Sequence, residues 1–193
     1  MWRSDEELML SCRDGDEGAF EILYRRYEKP VLSFIYRMVT SATDAEDLCQ
    51  ETFLRVIRAK RRYKAKGKFK TWLFRIALNI CRDRIRRMKF RSNLSLDVPM
   101  FSQDCEDAKI GQAVADLSSD PAKHAETDEM RRLVQQAFTK LTEAQRTVVV
   151  LREYHALKFP EIAEIMKCPV GTAKSLNYRG HQKLLKILSE HMD

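Results

Sequence analysis

The sequence predicts an all-α protein built as two small helical domains on either side of an acidic linker. Three observations carry that prediction. Apolar residues recur at helical spacing over residues 1–91 and again over 127–193. Three short segments have the form of a capping box, in which a hydroxyl accepts a backbone N–H and an acid or amide three residues on reaches back. Between the two periodic regions, residues 92–126 lose the pattern and gain Ser92, Asn93, Pro99, Gly111, Ser118, Ser119 and Pro121, the composition of a flexible spacer.

Charge is divided along the same lines. The chain of 193 residues carries a formal +7, but residues 1–54 hold −6, 55–91 hold +15, 92–129 hold −7 and 130–193 hold +5. Two basic segments separated by an acidic one predict two nucleic-acid contacts joined by a stretch that avoids the duplex. No run of 18 apolar residues occurs, and the acidic N-terminus lacks the cationic start of a signal peptide, so a cytoplasmic location is expected. The five cysteines (12, 49, 81, 105, 168) form no C-x-x-C pair, and no His stands at ligand spacing. Neither a disulfide framework, a metal site nor a cofactor is expected. Cys49 and Cys81 fall on core stripes, whereas Cys12 and Cys105 read as exposed thiols with room for a redox role.

Taken in order, Ser4-Asp5-Glu6-Glu7 is a capping box that opens a short helix ending at the Asp14-Gly15-Asp16 turn. Phe20, Leu23, Tyr24, Tyr27, Val31, Phe34, Ile35 and Met38 keep a helical period across Pro30, which should kink the path or divide it. Thr43-Asp44-Ala45-Glu46 reads as a second capping box, placing a helix start at Asp44. Ala45, Leu48, Cys49, Thr52, Val56 and Ala59 make its buried face. Asp47, Gln50, Glu51 and Leu54 fall on the other, a polar surface with one exposed leucine that suits docking on a basic protein surface.

From Arg55 to Arg91 there are sixteen Lys or Arg against the single acid Asp83. A run of charge is ordinarily a solvated face, but fifteen uncompensated charges within 37 residues repel one another, and polyphosphate is their natural partner. Lys60–Lys70 reads as a loop with Tyr63 and Phe69 among its cations, and Thr71 opens the next helix. Leu73, Ile76, Ala77, Ile80, Cys81, Ile85 and Met88 form its core stripe. Arg75, Asn79, Arg82, Arg86 and Lys89 line the opposite side. Aromatics interleaved with cations hold single-stranded nucleic acid by stacking, and Trp72 stands beside Arg75 and Asn79 in that way.

Order resumes at Thr127, where Met130, Leu133, Val134, Ala137, Phe138 and Leu141 make an amphipathic helix. Thr142-Glu143-Ala144-Gln145 is the third capping box. It favours helix over strand for Val148-Val149-Val150 despite their β propensity. A short helix over Phe159–Met166, a break at Lys167-Cys168 and a longer helix from Pro169 to about Leu188 compose a helix-turn-helix. On the longer helix Ala173, Gly180 and Leu184 face inward. Lys174, Ser175, Tyr178, Arg179 and Gln182 face outward, toward phosphates and base edges.

With these residues in view, the chain resembles a bacterial RNA polymerase sigma factor of the extracytoplasmic-function group. Asp44–Leu54 is similar to that family's core-polymerase-binding helix, Phe69–Asn79 to its minus-ten segment, and Glu161–Thr172 to its minus-thirty-five helix-turn-helix. The resemblance implies a non-enzymatic promoter-specificity subunit. Asp47, Gln50, Glu51 and Leu54 would bind the coiled coil of the largest polymerase subunit. Tyr63, Phe69, Trp72, Arg75, Asn79, Arg82 and Arg86 would serve the minus-ten element, and Thr172, Lys174, Ser175, Tyr178 and Arg179 the minus-thirty-five element. The linker would thread toward the polymerase active centre, and an anti-sigma protein would mask the docking surfaces. The chain departs from the family at Leu176-Asn177, where a basic and then an apolar residue are usual. It departs again at Gly180, where alanine is usual, and at Lys158, where a serine cap is usual.

Two other readings compete. A free-standing helix-turn-helix regulator explains the last fifty residues but leaves the acidic helix and the +15 stretch without a shared purpose. A nucleic-acid-processing enzyme needs clustered carboxylates or a nucleophile with its base. The acids here are dispersed, and His124, His155, His181 and His191 fit no triad.

Overall fold

The structure, a computed structural model, describes residues 3–94 and 133–190. Among these residues every regular element is helical, and they fall into two compact units. Residues 92–94 of the expected linker continue the preceding helix, and the rest of the linker, Cys105 and the beginning of the helix expected at Thr127 lie outside the described residues.

The first unit opens with α1, Asp5–Arg13, held by the expected box. The Glu7 N–H donates to Ser4 Oγ at 3.2 Å, and the Ser4 N–H donates to the Glu7 carboxylate at 2.8 Å. The chain then turns through Gly15 at φ +109°, a conformation that costs glycine nothing. Helix α2, Glu17–Val39, starts under the Asp16 carboxylate and runs through Pro30 as one helix, so of the two expected effects of the proline the division does not occur. Leu23 and Tyr27 before the proline and Val31, Phe34, Ile35 and Met38 after it are all buried. That burial on both sides outweighs the one backbone hydrogen bond a proline removes.

Helix α3 spans Ala42–Ala59 and begins two residues earlier than the Thr43 box predicts. Ser41 is the N-cap, its Oγ accepting from the Asp44 N–H at 3.3 Å, and Thr43 is an exposed residue of the first turn. Left-handed Thr40 ends α2 at φ 62°, so the first available hydroxyl after the break takes the cap. A 3₁₀ turn, Lys60–Arg62, closes α3. Helix α4, Phe69–Leu94, starts two residues before the expected Thr71.

The core of this unit is formed where α1, α2, α3 and α4 meet, and it includes three large side chains outside the predicted stripes. Phe53, Phe74 and Leu78 are buried, with Phe74 edge-on to Phe34 at 5.4 Å. Conversely, Ile76 and Ile85 are half-buried and Met88 is exposed, so the basic C-terminal part of α4 extends past the core.

The second unit is described from α5, residues 133–139, whose Ala137 and Phe138 are buried together with Leu141. Helix α6, Glu143–Glu153, carries the expected box. The Gln145 N–H donates to Thr142 Oγ1 at 3.3 Å, and the Thr142 N–H donates to Gln145 Oε1 at 3.1 Å. Val148, Val149 and Val150 are helical and buried, as the cap predicts. Arg152 braces the connection onward, donating to the Leu157 carbonyl at 3.1 Å with its guanidinium over the Phe159 ring at 5.1 Å. Helix α7, Phe159–Met166, and helix α8, Val170–Ser189, form the helix-turn-helix. Lys167 supplies the turn at φ 55°, and Pro169 is the N-cap of α8 instead of its first helical residue. At Lys158 only the reciprocal half of a box exists, its N–H donating to Glu161 at 2.7 Å, because a lysine side chain has nothing to accept with.

Candidate nucleic-acid and protein interfaces

The outer face of α3 presents Asp47, Gln50 and Leu54 to solvent, Leu54 being 47% exposed. Glu51 shares this face but is half-buried and engaged within the helix. Arg55 Nε lies 2.7 Å from its carboxylate and Arg58 4.0 Å, and the Arg55 hydrogen bond holds the carboxyl below its usual range. Asp44, in the first turn, is turned away altogether, because Arg84 of α4 grips both its oxygens at 2.7 to 3.2 Å. Ile57, one turn beyond Leu54, is also exposed and extends the apolar part of the face. Its spacing of three from Leu54 was the signal for it. At the C-terminal end of α3, Arg55, Arg58, Arg61 and Arg62 line an open hollow of about 460 Å³.

Around the start of α4 the structure separates the aromatic residues that the sequence grouped together. Tyr63 is 5% and Phe69 1% exposed, so neither ring is presented to a base. Phe69 packs edge-on to Tyr27 at 5.4 Å and lies 6.2 Å from Tyr63. Burial first, and then the charges of Glu6 and Asp5, push the Tyr63 hydroxyl up to about 12. Both residues are core because α1 and α2 cover the loop side of the unit, which a reading of local spacing does not see. Trp72 is half-buried, with one side against Tyr63 at 5.1 Å and Phe69 at 5.9 Å. Arg75 and Arg82 are half-buried, and Asn79 and Arg86 are exposed. Trp72, Arg75, Asn79, Arg82 and Arg86 therefore follow one another along α4 at steps of three or four, which keeps them on neighbouring turns of one side.

The second unit bears out the predicted orientation of its long helix. Ala173 and Gly180 of α8 are buried, while Thr172, Lys174, Ser175, Tyr178, Arg179 and Gln182 are exposed, Tyr178 at 67%. Leu176 and Asn177 are half-buried, so the departure there from the family pattern lies on the flank of the helix and leaves the outer face intact. Gly180 has a steric reason. A Cβ at this position would stand 2.8 Å from Val149 Cγ2, so α8 crosses α6 too closely for alanine.

The thiols are placed differently from expectation in one case. Cys12 is buried against the predicted exposure, because its side of α1 faces the core, and burial raises its pKa. Among the described residues no cluster of three or more His, Cys, Asp or Glu could hold a metal, and no helix is long and apolar enough to cross a membrane.

Comparison with known proteins agrees with this geometry at both units. The sigma-70 region 2 family matches residues 23–91, and the sigma-70 region 4 family matches residues 131–184. The RNA polymerase sigma-H factor of Pseudomonas aeruginosa is 33% identical over 184 residues, covering 95% of this chain and 93% of that protein. The ECF RNA polymerase sigma-E factor of Escherichia coli K12 is 33% identical over 181 residues, covering 94% and 92%. Among solved structures, the sigma factor RpoE of Bartonella quintana, in complex with the anti-sigma factor NepR, has the same fold. Its TM-score is 0.70 at 22% identity, over 88% of this chain and 96% of that one. A free-standing regulator would account for the helix-turn-helix alone, whereas these relatives span both units in order. The chain belongs to the sigma-70 family, in its extracytoplasmic-function group, and is a sigma subunit that directs promoter-specific transcription.

Proposed function

We propose a division of labour among three surfaces of this sigma subunit. Asp47, Gln50, Glu51 and Leu54 on α3 dock on the coiled coil of the largest subunit of RNA polymerase core. Trp72, Arg75, Asn79, Arg82 and Arg86 on α4 open the minus-ten element and hold its unpaired strand. Thr172, Lys174, Ser175, Tyr178 and Arg179 on α8 read the minus-thirty-five element in the major groove. The observation that supports this reading best is the selective exposure on α3. Asp47, Gln50 and Leu54 stand free while Asp44, on the same helix, is consumed by Arg84. An exposed leucine among polar groups is the composition of a docking surface with an apolar centre.

Residues 1–91 would then act as the polymerase-binding and strand-opening domain, 92–126 as the linker and 127–193 as the upstream-reading domain. The chain works in the cytoplasm without chemistry of its own, as an initiation factor. An anti-sigma protein that covers the same surfaces is in keeping with the partner seen on the Bartonella relative. Transcription in vitro with purified core polymerase, followed by sequencing of the RNA 5′ ends, tests the whole reading. Initiation from one class of promoters sharing elements near minus ten and minus thirty-five is expected. Tight sequence-specific binding of this chain to such promoters without polymerase, and no gain in initiation with it, would contradict it.

A further inference from the structure

The first turn of α1 carries three adjacent acids, and each has a separate role. Glu7 closes the cap on its own helix, bonding the Ser4 N–H at 2.8 Å. Asp5 faces α2, where it takes Arg26 Nη1 at 2.7 Å and the Tyr27 hydroxyl. Glu6 reaches across 63 positions to α4, accepting the Phe69 backbone N–H at 2.7 Å. Phe69 is the first residue of α4, and the residue before it is Lys68, whose ammonium side chain cannot accept a hydrogen bond. The cap of α4 is thus supplied from another helix. A carboxylate is the favoured partner for a helix N-terminus, where N–H groups lack intrahelical acceptors.

The location of this cap connects it to the surface assigned to strand opening. The Phe69 ring sits between Tyr27 and Tyr63, and Trp72 leans on both Phe69 and Tyr63. Trp72, Arg75 and Asn79 occupy the first three turns of α4, so fixing where that helix begins fixes their rotation about its axis. The free N-terminus of α4, with Lys64, Lys66, Lys68 and Lys70 nearby in sequence, would otherwise attract a phosphate. Glu6 fills that position and leaves the backbone of the opened strand to the Trp72–Asn79 side.

We propose that Glu6 is a positioning residue for promoter opening: by capping α4 from α1 it holds Trp72, Arg75 and Asn79 in register for the unpaired strand. The proposal rests on the assignment of α4 as the strand-opening helix. It is tested with the full chain and core polymerase, comparing Glu6→Ala, Glu6→Gln and Trp72→Ala on a duplex promoter and on the same promoter with a mismatched, pre-opened minus-ten segment. Permanganate reactivity of unpaired thymines follows opening, and co-elution with core polymerase and thermal melting are recorded in parallel.

Loss of one N-terminal cap corresponds to about fivefold slower opening of the duplex promoter by Glu6→Ala. Co-elution should be retained, and initiation should be restored on the pre-opened template. Glu6→Gln, which keeps an oxygen acceptor, should open the duplex within about twofold of the parent, since a neutral cap retains most of the bond. Parent-like opening by Glu6→Ala would overturn the proposal, as would a Gln variant as slow as Ala. An equal defect on the pre-opened template would overturn it too, because that marks general damage to the unit. Normal duplex opening by Trp72→Ala would instead remove the assignment of α4 itself.

Discussion

Gly180 shows how a residue that weakens its own helix can be required by the neighbouring one. A glycine within a helix costs about 1 kcal/mol relative to alanine, so on sequence grounds its replacement should stabilise α8. The structure reverses that sign. An added Cβ would meet Val149 Cγ2 at 2.8 Å, with Gln145 Cβ at 3.6 Å and its carbonyl oxygen at 3.7 Å behind it. A valine in a helix has one strongly preferred rotamer and cannot swing aside cheaply. Gly180→Ala is therefore expected to lower the stability of the second unit by about 1 to 3 kcal/mol, the usual range for overpacking. Pairing it with Val149→Ala should return part of the loss, a coupling that a double-mutant cycle in chemical denaturation measures. A higher denaturation midpoint for Gly180→Ala would refute the close crossing. The thiols offer a second check. Burial, with the Glu28 charge adding to it, pushes Cys49 up to about 12, so folding holds its proton. The stabilisation from this group is intact below the pKa of an unfolded thiol and is lost as pH rises toward 12. Alkylation of the native protein at mildly alkaline pH should accordingly reach half-buried Cys168 well before buried Cys12, Cys49 or Cys81, as peptide mapping would show.

Helix α4 holds cations that look equivalent in sequence and are not. Arg84 is bound to Asp44 of α3 through three contacts of 3.2 Å or less, whereas Arg86 pairs, among the described residues, with Asp83 alone at 3.9 Å, with a side chain 81% exposed. Arg84→Ala should cost about 1 to 2 kcal/mol of stability, the scale of charge-assisted bonds partly shielded from water. Arg86→Ala should leave melting within about 0.5 kcal/mol and instead reduce the salt dependence of promoter binding by about one phosphate contact. If the two variants exchanged these phenotypes, the assignment of the basic face would be wrong. The same distinction explains which parts of the fold were legible in the sequence. The boxes at Ser4 and Thr142 depend on residues three apart, and they define α1 and α6 as predicted, including the helical state of Val148–Val150. The start of α4 at Phe69 depends on Glu6, and the burial of Tyr63 and Phe69 depends on α1 and α2, so local periodicity could not disclose either. The start of α3 was missed for a smaller reason, that Ser41 and Thr43 are both competent caps and only the position of Thr40 decides between them. Outward residues of α8 were legible because one turn of helix-turn-helix fixes both which side is buried and which is free.

At the scale of the molecule, the alternation of charge along the chain matches three separate surfaces: a polar, partly apolar face on α3 and a basic face on α4 in the first unit, and the outer face of α8 in the second. The α3 face is the surface proposed to bind core polymerase, and its geometry decides which variant tests that most cleanly. Glu51 is tied to Arg55 and Arg58, so reversing its charge would crowd three cations and disturb the helix. Asp47 and Leu54 are exposed, and their replacement should leave stability within about 1 kcal/mol. The decisive measurement is gel-filtration co-elution of the Asp47→Arg, Leu54→Ala double variant with core RNA polymerase, with thermal melting recorded on the same sample. Unchanged melting together with loss of co-elution and of promoter-specific initiation is expected. Co-elution at parental affinity by a fully folded variant would contradict the proposed docking.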